Sequence, residues 1–143
     1  MPKVQDTLGN AFQDLQRKDI TIEQFIETVR QWFAGIPYSI TDRNQNEQLY
    51  QSLIYAALLG FGADVQAEDI TSDGRMDIAL KLQDAIYIIE LKYGKNAEQA
   101  TDQILTKDYA VRFAHDPHPV FAIGLNISQD RRTIDDCRIC KVK

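Results

Sequence analysis

Apolar residues recur at helical spacing along the first part of the chain. Leu8, Phe12 and Leu15 share one face, and "TIEQFIETVRQWFAGIP" continues with Ile22, Phe25, Ile26, Val29, Trp32 and Phe33. The spacing predicts two amphipathic helices. Thr21 followed by Gln24 is a capping-box pattern that starts the second, and Gly35 with Pro37 is a stop signal. "DRNQNEQLYQSLIYAALLGFG" predicts a third helix, with Tyr50, Leu53, Ile54, Ala57 and Leu58 apolar, ending at Gly60 or Gly62. Residues 63 to 71 read as a strand and "SDG" at 72 to 74 as a turn.

The period then changes. "GRMDIALKLQDAIYIIELKYG", Gly74 to Gly94, reads as two strands joined by a short turn, interrupted by Asp77, Glu90 and Lys92. In the first, Met76, Ile78, Leu80 and Leu82 share a face while Arg75, Asp77, Ala79 and Lys81 share the other. In the second, Tyr87, Ile89, Leu91 and Tyr93 oppose Ile86, Ile88, Glu90 and Lys92. Both faces are mostly apolar, as in interior strands covered on two sides. "NAEQATDQILTKDYAVRF" predicts a helix starting at Asn96, "PVFAIGLNIS" a strand and "CRICKVK" a last short strand. This order of helices, strands, a helix and strands predicts an α/β chain. There is no internal repeat and no glycine-rich phosphate loop, so an intrinsic ATPase is not expected.

With 143 residues and 44% hydrophobic content, one main folding unit with its own core is expected. No apolar run reaches the roughly 18 residues of a membrane span, and "MPKVQDTLGN" is not a secretory signal. A soluble, cytoplasmic, bacterial-type protein is the default reading. The two cysteines are too few for a disulfide framework and suit a reducing compartment.

A net charge of −5 argues against bulk electrostatic binding of nucleic acid. The charge is uneven, however. Residues 1 to 73 carry 5 basic and 11 acidic side chains (−6), and residues 74 to 143 carry 11 basic and 10 acidic (+1). Acids that bind a metal ion have their charge offset, which shifts the second half further positive.

If Gln83 and Asp84 form a two-residue hairpin loop, Leu82 opposes Ala85. That register sets Asp77 across from Glu90, and Arg75 across from Lys92, on one face. Two carboxylates at the cross-strand distance of about 5 Å repel, and burial raises the penalty. They need a cation. Either Arg75 and Lys92 neutralise them as a structural cluster, or a hard divalent ion such as Mg²⁺ sits between oxygen ligands. In the second case Lys92 would lie beside the metal, where an amine could orient or deprotonate a water.

Asp77 followed by Glu90-x-Lys92 at the end of the next strand resembles the signature of the PD-(D/E)XK nuclease superfamily. The surrounding text sharpens it: "NEQLYQSLIYAAL", "GRMDIAL", "YIIELKYG", "AEQATDQILTKDYA", "FAIGLNIS" and "RRTID" occur in the order of one bacterial branch. That branch resembles the nuclease domain at the C-terminus of AAA-ATPase-like proteins. The resemblance divides the chain into a short helical segment, 1–43, packing on a nuclease-like domain, 44–143. It implies a restriction-endonuclease-like fold, a mixed β-sheet flanked by helices. It also implies a metal-dependent nuclease acting on nucleic acid, with DNA the expected form, and an AAA-ATPase-like partner domain.

The same resemblance implies site residues. Asp77 and Glu90 would bind Mg²⁺ or Mn²⁺ with the backbone carbonyl of Leu91, and Lys92 would assist the attacking water. Glu47 would be the additional acidic residue, and Gln103 with Tyr109 would belong to an auxiliary motif near the substrate. No ATPase domain lies within these residues, and Cys137 stands where relatives commonly carry an aromatic residue. Members of the family that do not cut nucleic acid also exist, so a binding or regulatory module is the alternative.

Simpler roles stand beside these. Asn44 with Glu47 is a capping-box arrangement, Gln103 could be an ordinary helix glutamine, and Tyr109 could be core. Asp77, Glu90 and Lys92 could form a buried salt-bridge cluster, although such clusters stabilise poorly. "HDPH" at 115 to 118 and "CRIC" at 137 to 140 offer zinc ligand types. On a strand, though, Cys137 and Cys140 point to opposite faces, so no zinc site is expected.

Overall fold

The computed structural model describes residues 4–37, 47–72 and 74–143. Among the described residues three helices come first: α1 (Val4–Gln16), α2 (Ile22–Ala34) and α3 (Glu47–Gly60). They are followed by β1 (Asp64–Glu68), β2 (Asp77–Lys81), β3 (Ile86–Tyr93), α4 (Ala97–Leu105), α5 (Tyr109–Arg112), β4 (Val120–Ile127) and β5 (Ile134–Lys141). The strands form one sheet in the order β1-β2-β3-β4-β5. Only β3 and β4 are parallel; every other neighbouring pair is antiparallel. The crossover from β3 to β4 carries α4 and α5, as a parallel connection requires. This mixed sheet with flanking helices is an α/β fold of the restriction-endonuclease-like kind.

Alternation along the strands sorts the core into two layers. Ile78, Leu80, Ile89, Leu91, Ile123, Leu125 and Ile127 pack with Leu8, Phe12, Phe25, Val29, Phe33, Tyr50 and Ile54 of the first three helices. On the opposite face Ala79, Ile86, Ile88, Val120 and Ala122 meet Ile104 and Tyr109. Because both faces are covered, β2 and β3 are apolar on both sides.

The helix ends follow local chemistry. Thr21 and Gln24 form a reciprocal capping box, with the Thr21 hydroxyl accepting from Gln24 N at 3.2 Å and Gln24 Oε1 accepting from Thr21 N at 2.8 Å. Asn96 is the N-cap of α4 and accepts from Gln99 N at 2.9 Å. The capping role considered for Asn44 lies outside the described residues, as does Asp73 of the expected turn.

Three boundaries differ from expectation. The single helix expected from Asn96 is two helices, because Thr106 caps α4 and Asp108 starts α5. Thr106 is β-branched and Asp108 competes with the backbone for hydrogen bonds, so both weaken a helix interior. The strand expected over 63–71 stops at Glu68, where Asp69 turns to a positive φ of 50°. The hairpin strand expected from Gly74 begins at Asp77, because Arg75 is folded into a turn in which Thr71 Oγ1 accepts from Arg75 N at 3.0 Å.

Gly124 sets how closely α4 approaches the sheet. A methyl group there would collide with the Ala97 carbonyl oxygen and lie 2.9 Å from Thr101 Cγ2. Gly124 is the parallel-ladder partner of Glu90. The missing side chain thus lets α4 lie over the row that carries the acidic strand residue.

Candidate metal and nucleic-acid site

The β2–β3 ladder pairs Ile78 with Ile89, Ala79 with Ile88 and Leu80 with Tyr87, and Leu82 N donates to Ala85 O at 2.9 Å. Continuing that register by one residue sets Asp77 across from Glu90. Both are buried, 1% and 3% exposed. They extend the row of Ala79, Ile86 and Ile88 toward the C-terminal end of β3, where ligands commonly gather in sheets with parallel strands. Lys92 shares their face, and its Nζ is 3.9 Å from Glu90 Oε1.

Burial dominates the electrostatics of the pair. For Glu90 desolvation is the largest influence, and the hydrogen bond and negative charge of Asp77 act the same way, pushing its pKa up to about 9 against the attraction of Lys92 and Lys107. Burial also acts to raise Asp77, but hydrogen bonds from Glu90, Lys107 and Tyr109, with the Lys107 charge, outweigh it and lower its pKa. The two environments therefore pull in opposite directions, favouring the protonated form at Glu90 and the charged form at Asp77.

Residues of α4, α5 and the turn between them hold Asp77 and Lys92. Tyr109 donates its hydroxyl to Asp77 Oδ2 at 2.5 Å, and Lys107 Nζ reaches the same oxygen at 2.6 Å. Burial, the hydrogen bond to Asp77 and its negative charge raise the Tyr109 pKa and keep the phenol protonated. Lys92 Nζ donates to Gln103 Oε1. Asp77, Glu90, Gln103 and Lys107 line a cavity of about 170 Å³, with Asp69, Thr71, Arg75 and Met76 at its sides. A separate groove of about 480 Å³ between α2 and β5 shares none of these residues.

The other residues singled out in the sequence lie outside this cavity or at its edge. Arg75 lies beyond the end of the ladder instead of facing Lys92, and its Nη1 pairs with Glu47 Oε1 at 3.2 Å. That pair sits in an adjoining cleft with Gln48 and Tyr93. Leu91 has its side chain fully buried on the opposite face of the sheet. On β5, Cys137 and Cys140 pair with Leu125 and Ala122, three residues apart on an extended strand, so their side chains diverge. His118 is engaged by Asp116 through Nδ1 at 2.5 Å and by the Gln83 carbonyl through Nε2 at 3.1 Å.

Sequence reading missed Lys107, Asp69 and Gln51. Lys107 also lies 3.6 Å from Asp69 Oδ2, and Gln51 Oε1 accepts from Met76 N at 3.3 Å, anchoring the entry to β2. A signal for Lys107 existed: it follows Gln103 by four residues, the spacing that places two side chains on one helical face.

The donor chemistry fits a hard divalent cation. Two buried carboxylates meet in a cavity that needs a cation, and in this structure the Lys107 ammonium meets that demand at Asp77. Among the described residues no third His, Cys, Asp or Glu completes a metal cluster with them. Mg²⁺ is suited to such a sparse site because it retains several of its waters.

Comparison with known proteins gives the same direction. A family model of the PD-(D/E)XK nuclease superfamily matches residues 45–137. A curated relative from Azotobacter chroococcum mcd 1, described as an uncharacterized protein in the vnfD 5′ region, is 32% identical over 108 residues. The match covers 72% of this chain and 21% of that relative, so the chain spans about a fifth of its length. No solved structure matches. With the matched span covering β1 to β4 and the opposed Asp77 and Glu90, and reaching into β5, the chain belongs to the PD-(D/E)XK nuclease superfamily.

Proposed function

We propose that this chain is a nuclease that hydrolyses nucleic-acid phosphodiester bonds, DNA foremost, with Mg²⁺ or Mn²⁺. The observation that carries the reading is the buried Asp77–Glu90 pair opposed across β2 and β3, with Lys92 beside Glu90. Asp77 and Glu90 would hold the ion together with the Leu91 carbonyl. When bound, the ion would supply Lewis-acid activation of water and neutralise charge on the phosphate.

The chain's own residues supply the rest. Tyr109 keeps Asp77 ionised and oriented by donating to Oδ2. Gln103 holds the Lys92 ammonium near Glu90, at the position from which it would orient the attacking water. The guanidinium of Arg75, half-exposed at the edge of the cavity and paired with Glu47, would meet a backbone phosphate. In this reading residues 1–43 form a helical segment supporting a nuclease-like domain of residues 44–143.

A second reading is a module of the same fold that binds without cutting. What favours it is the net charge of −5, unfavourable for a polyanionic substrate. An AAA-ATPase-like partner domain would supply the missing basic surface; that partner rests on the sequence resemblance alone. The two readings separate in one assay, with purified protein incubated at low salt with supercoiled, linear and single-stranded DNA and with RNA, in Mn²⁺, Mg²⁺ or EDTA. The nuclease reading expects metal-dependent cleavage leaving 5′-phosphate and 3′-hydroxyl ends, lost in Asp77→Asn. Uncut substrates under every condition favour the binding module.

A further inference from the structure

We infer that Lys107 is an exchangeable internal counterion: its ammonium occupies the place of the cation on Asp77 and moves to Asp69 when a divalent ion binds. The inference rests on reading the Asp77–Glu90 pair as a metal centre, and it adds the device that sets that centre's affinity.

Three features of the structure carry it. First, Asp77 is almost wholly buried and its charge is met by Lys107 Nζ at 2.6 Å, the closest ammonium to either carboxylate among the described residues. Lys92 cannot take this place, because it is bound to Gln103 and lies on the Glu90 side. Second, Lys107 stands in the turn between α4 and α5, and its side chain is 23% exposed against 10% for Lys92. It reaches into the cavity from its mouth on a long flexible stem, so leaving requires side-chain rotation and no change in the sheet.

Third, a second acceptor is already in place. Asp69 Oδ2 lies 3.6 Å from the same nitrogen, on the turn that closes β1. A short swing exchanges one carboxylate for another. Arg112 cannot perform this exchange, because it is held by Asp69, Asp108 and Glu68 and stacked over the Tyr109 ring at 4.6 Å.

The physical consequence is competition. With Lys107 on Asp77, the incoming ion must displace one positive charge and is repelled by it until it leaves. Removing the ammonium makes the metal-free site less stable and the metal-bound site less repulsive. Both effects tighten metal binding.

The test is Mn²⁺ titration by calorimetry at fixed pH, comparing wild type with Lys107→Met, Asp69→Asn and Asp77→Asn. Lys107→Met should bind Mn²⁺ about tenfold tighter, the equivalent of one charged hydrogen bond, and Asp69→Asn should bind it more weakly. In EDTA, a double-mutant cycle of Asp77→Asn and Lys107→Met should show strong coupling in thermal stability. Unchanged or weaker Mn²⁺ affinity in Lys107→Met, with binding still lost in Asp77→Asn, overturns the exchange while leaving the metal centre standing. Mn²⁺ binding that is absent from wild type, or indifferent to Asp77→Asn, overturns the metal centre and the exchange together. Additive stabilities in the cycle overturn the counterion role without reference to metal.

Discussion

The Tyr109 hydroxyl donates to Asp77 Oδ2 at 2.5 Å, joining the first turn of α5 to the first residue of β2. Tyr109 is fully buried and packs with Ile86, Ile88 and Val120, so it belongs to the core and to the acidic site at once. Its ring supplies packing and its oxygen supplies orientation.

Tyr109→Phe separates those two contributions. The ring volume stays, and a buried carboxylate loses a donor, so stability at neutral pH should fall by about 1–3 kcal/mol. Chemical denaturation in EDTA measures this. A loss below a few tenths of a kcal/mol would mean the hydroxyl does not support Asp77.

The pH dependence of the metal-free protein should follow Glu90. Its folded pKa of about 9 exceeds the ordinary 4.5, so between these values the folded state binds more protons than the unfolded state. The stability that protonated Glu90 contributes is fully present below 4.5 and is lost as pH rises through about 9. Asp77, lowered below 3.8, acts oppositely: its contribution is present above 3.8 and is lost on further acidification. Melting temperatures in EDTA from pH 5 to 9 should therefore decline toward high pH in wild type and flatten in Glu90→Gln. Parallel curves for the two proteins would contradict the proton assignment.

Gln103→Leu should act through Lys92. Without Gln103 Oε1 the ammonium loses its holding acceptor, while Asp77 and Glu90 remain. On the nuclease reading, cleavage should fall toward the loss expected for Lys92→Met, roughly 10²–10⁴-fold for a group handling a proton at the water. Mn²⁺ affinity should change far less than in Asp77→Asn. A Gln103→Leu protein that cuts at the wild-type rate would reduce Gln103 to a packing residue.

Gly124→Ala tests how the helix is positioned over the sheet. The added methyl group meets the Ala97 carbonyl, Thr101 and Ala100, and a helix backbone cannot yield as a side-chain tip can. The cost should be about 1–3 kcal/mol or more, with Gln103 and Lys107 displaced because both ride on or beside α4. Thermal denaturation and Mn²⁺ titration of the variant measure both effects.

Much of this arrangement is legible in the order of residues. Period-2 alternation assigns Glu90 and Lys92 to the face of Ile86 and Ile88, and the short Gln83–Asp84 loop brings Leu82 against Ala85, from which the facing of Asp77 and Glu90 follows. Capping at Thr21 is equally local, since both partners lie three residues apart. Such features depend on backbone geometry that a few neighbouring residues impose. The helix break at Thr106–Asp108 is less legible, because no glycine or proline marks it and it depends on weak propensities that packing decides.

Which charges meet depends on packing between segments far apart in the chain. Lys107 reaches Asp77 across thirty positions, Arg75 turns to Glu47 instead of Lys92, and Tyr109 meets Asp77 across thirty-two. Strand alternation and a short loop are enough to imply that two carboxylates face each other on interior strands and need a cation. Which cation meets them in the absence of metal depends on how closely α4 lies on β4, and that spacing is set by side chains excluded at Gly124 and filled by Ala97, Ala100 and Thr101. Burial then makes the choice matter, since a charge removed from water is stabilised only by the groups that packing places within reach.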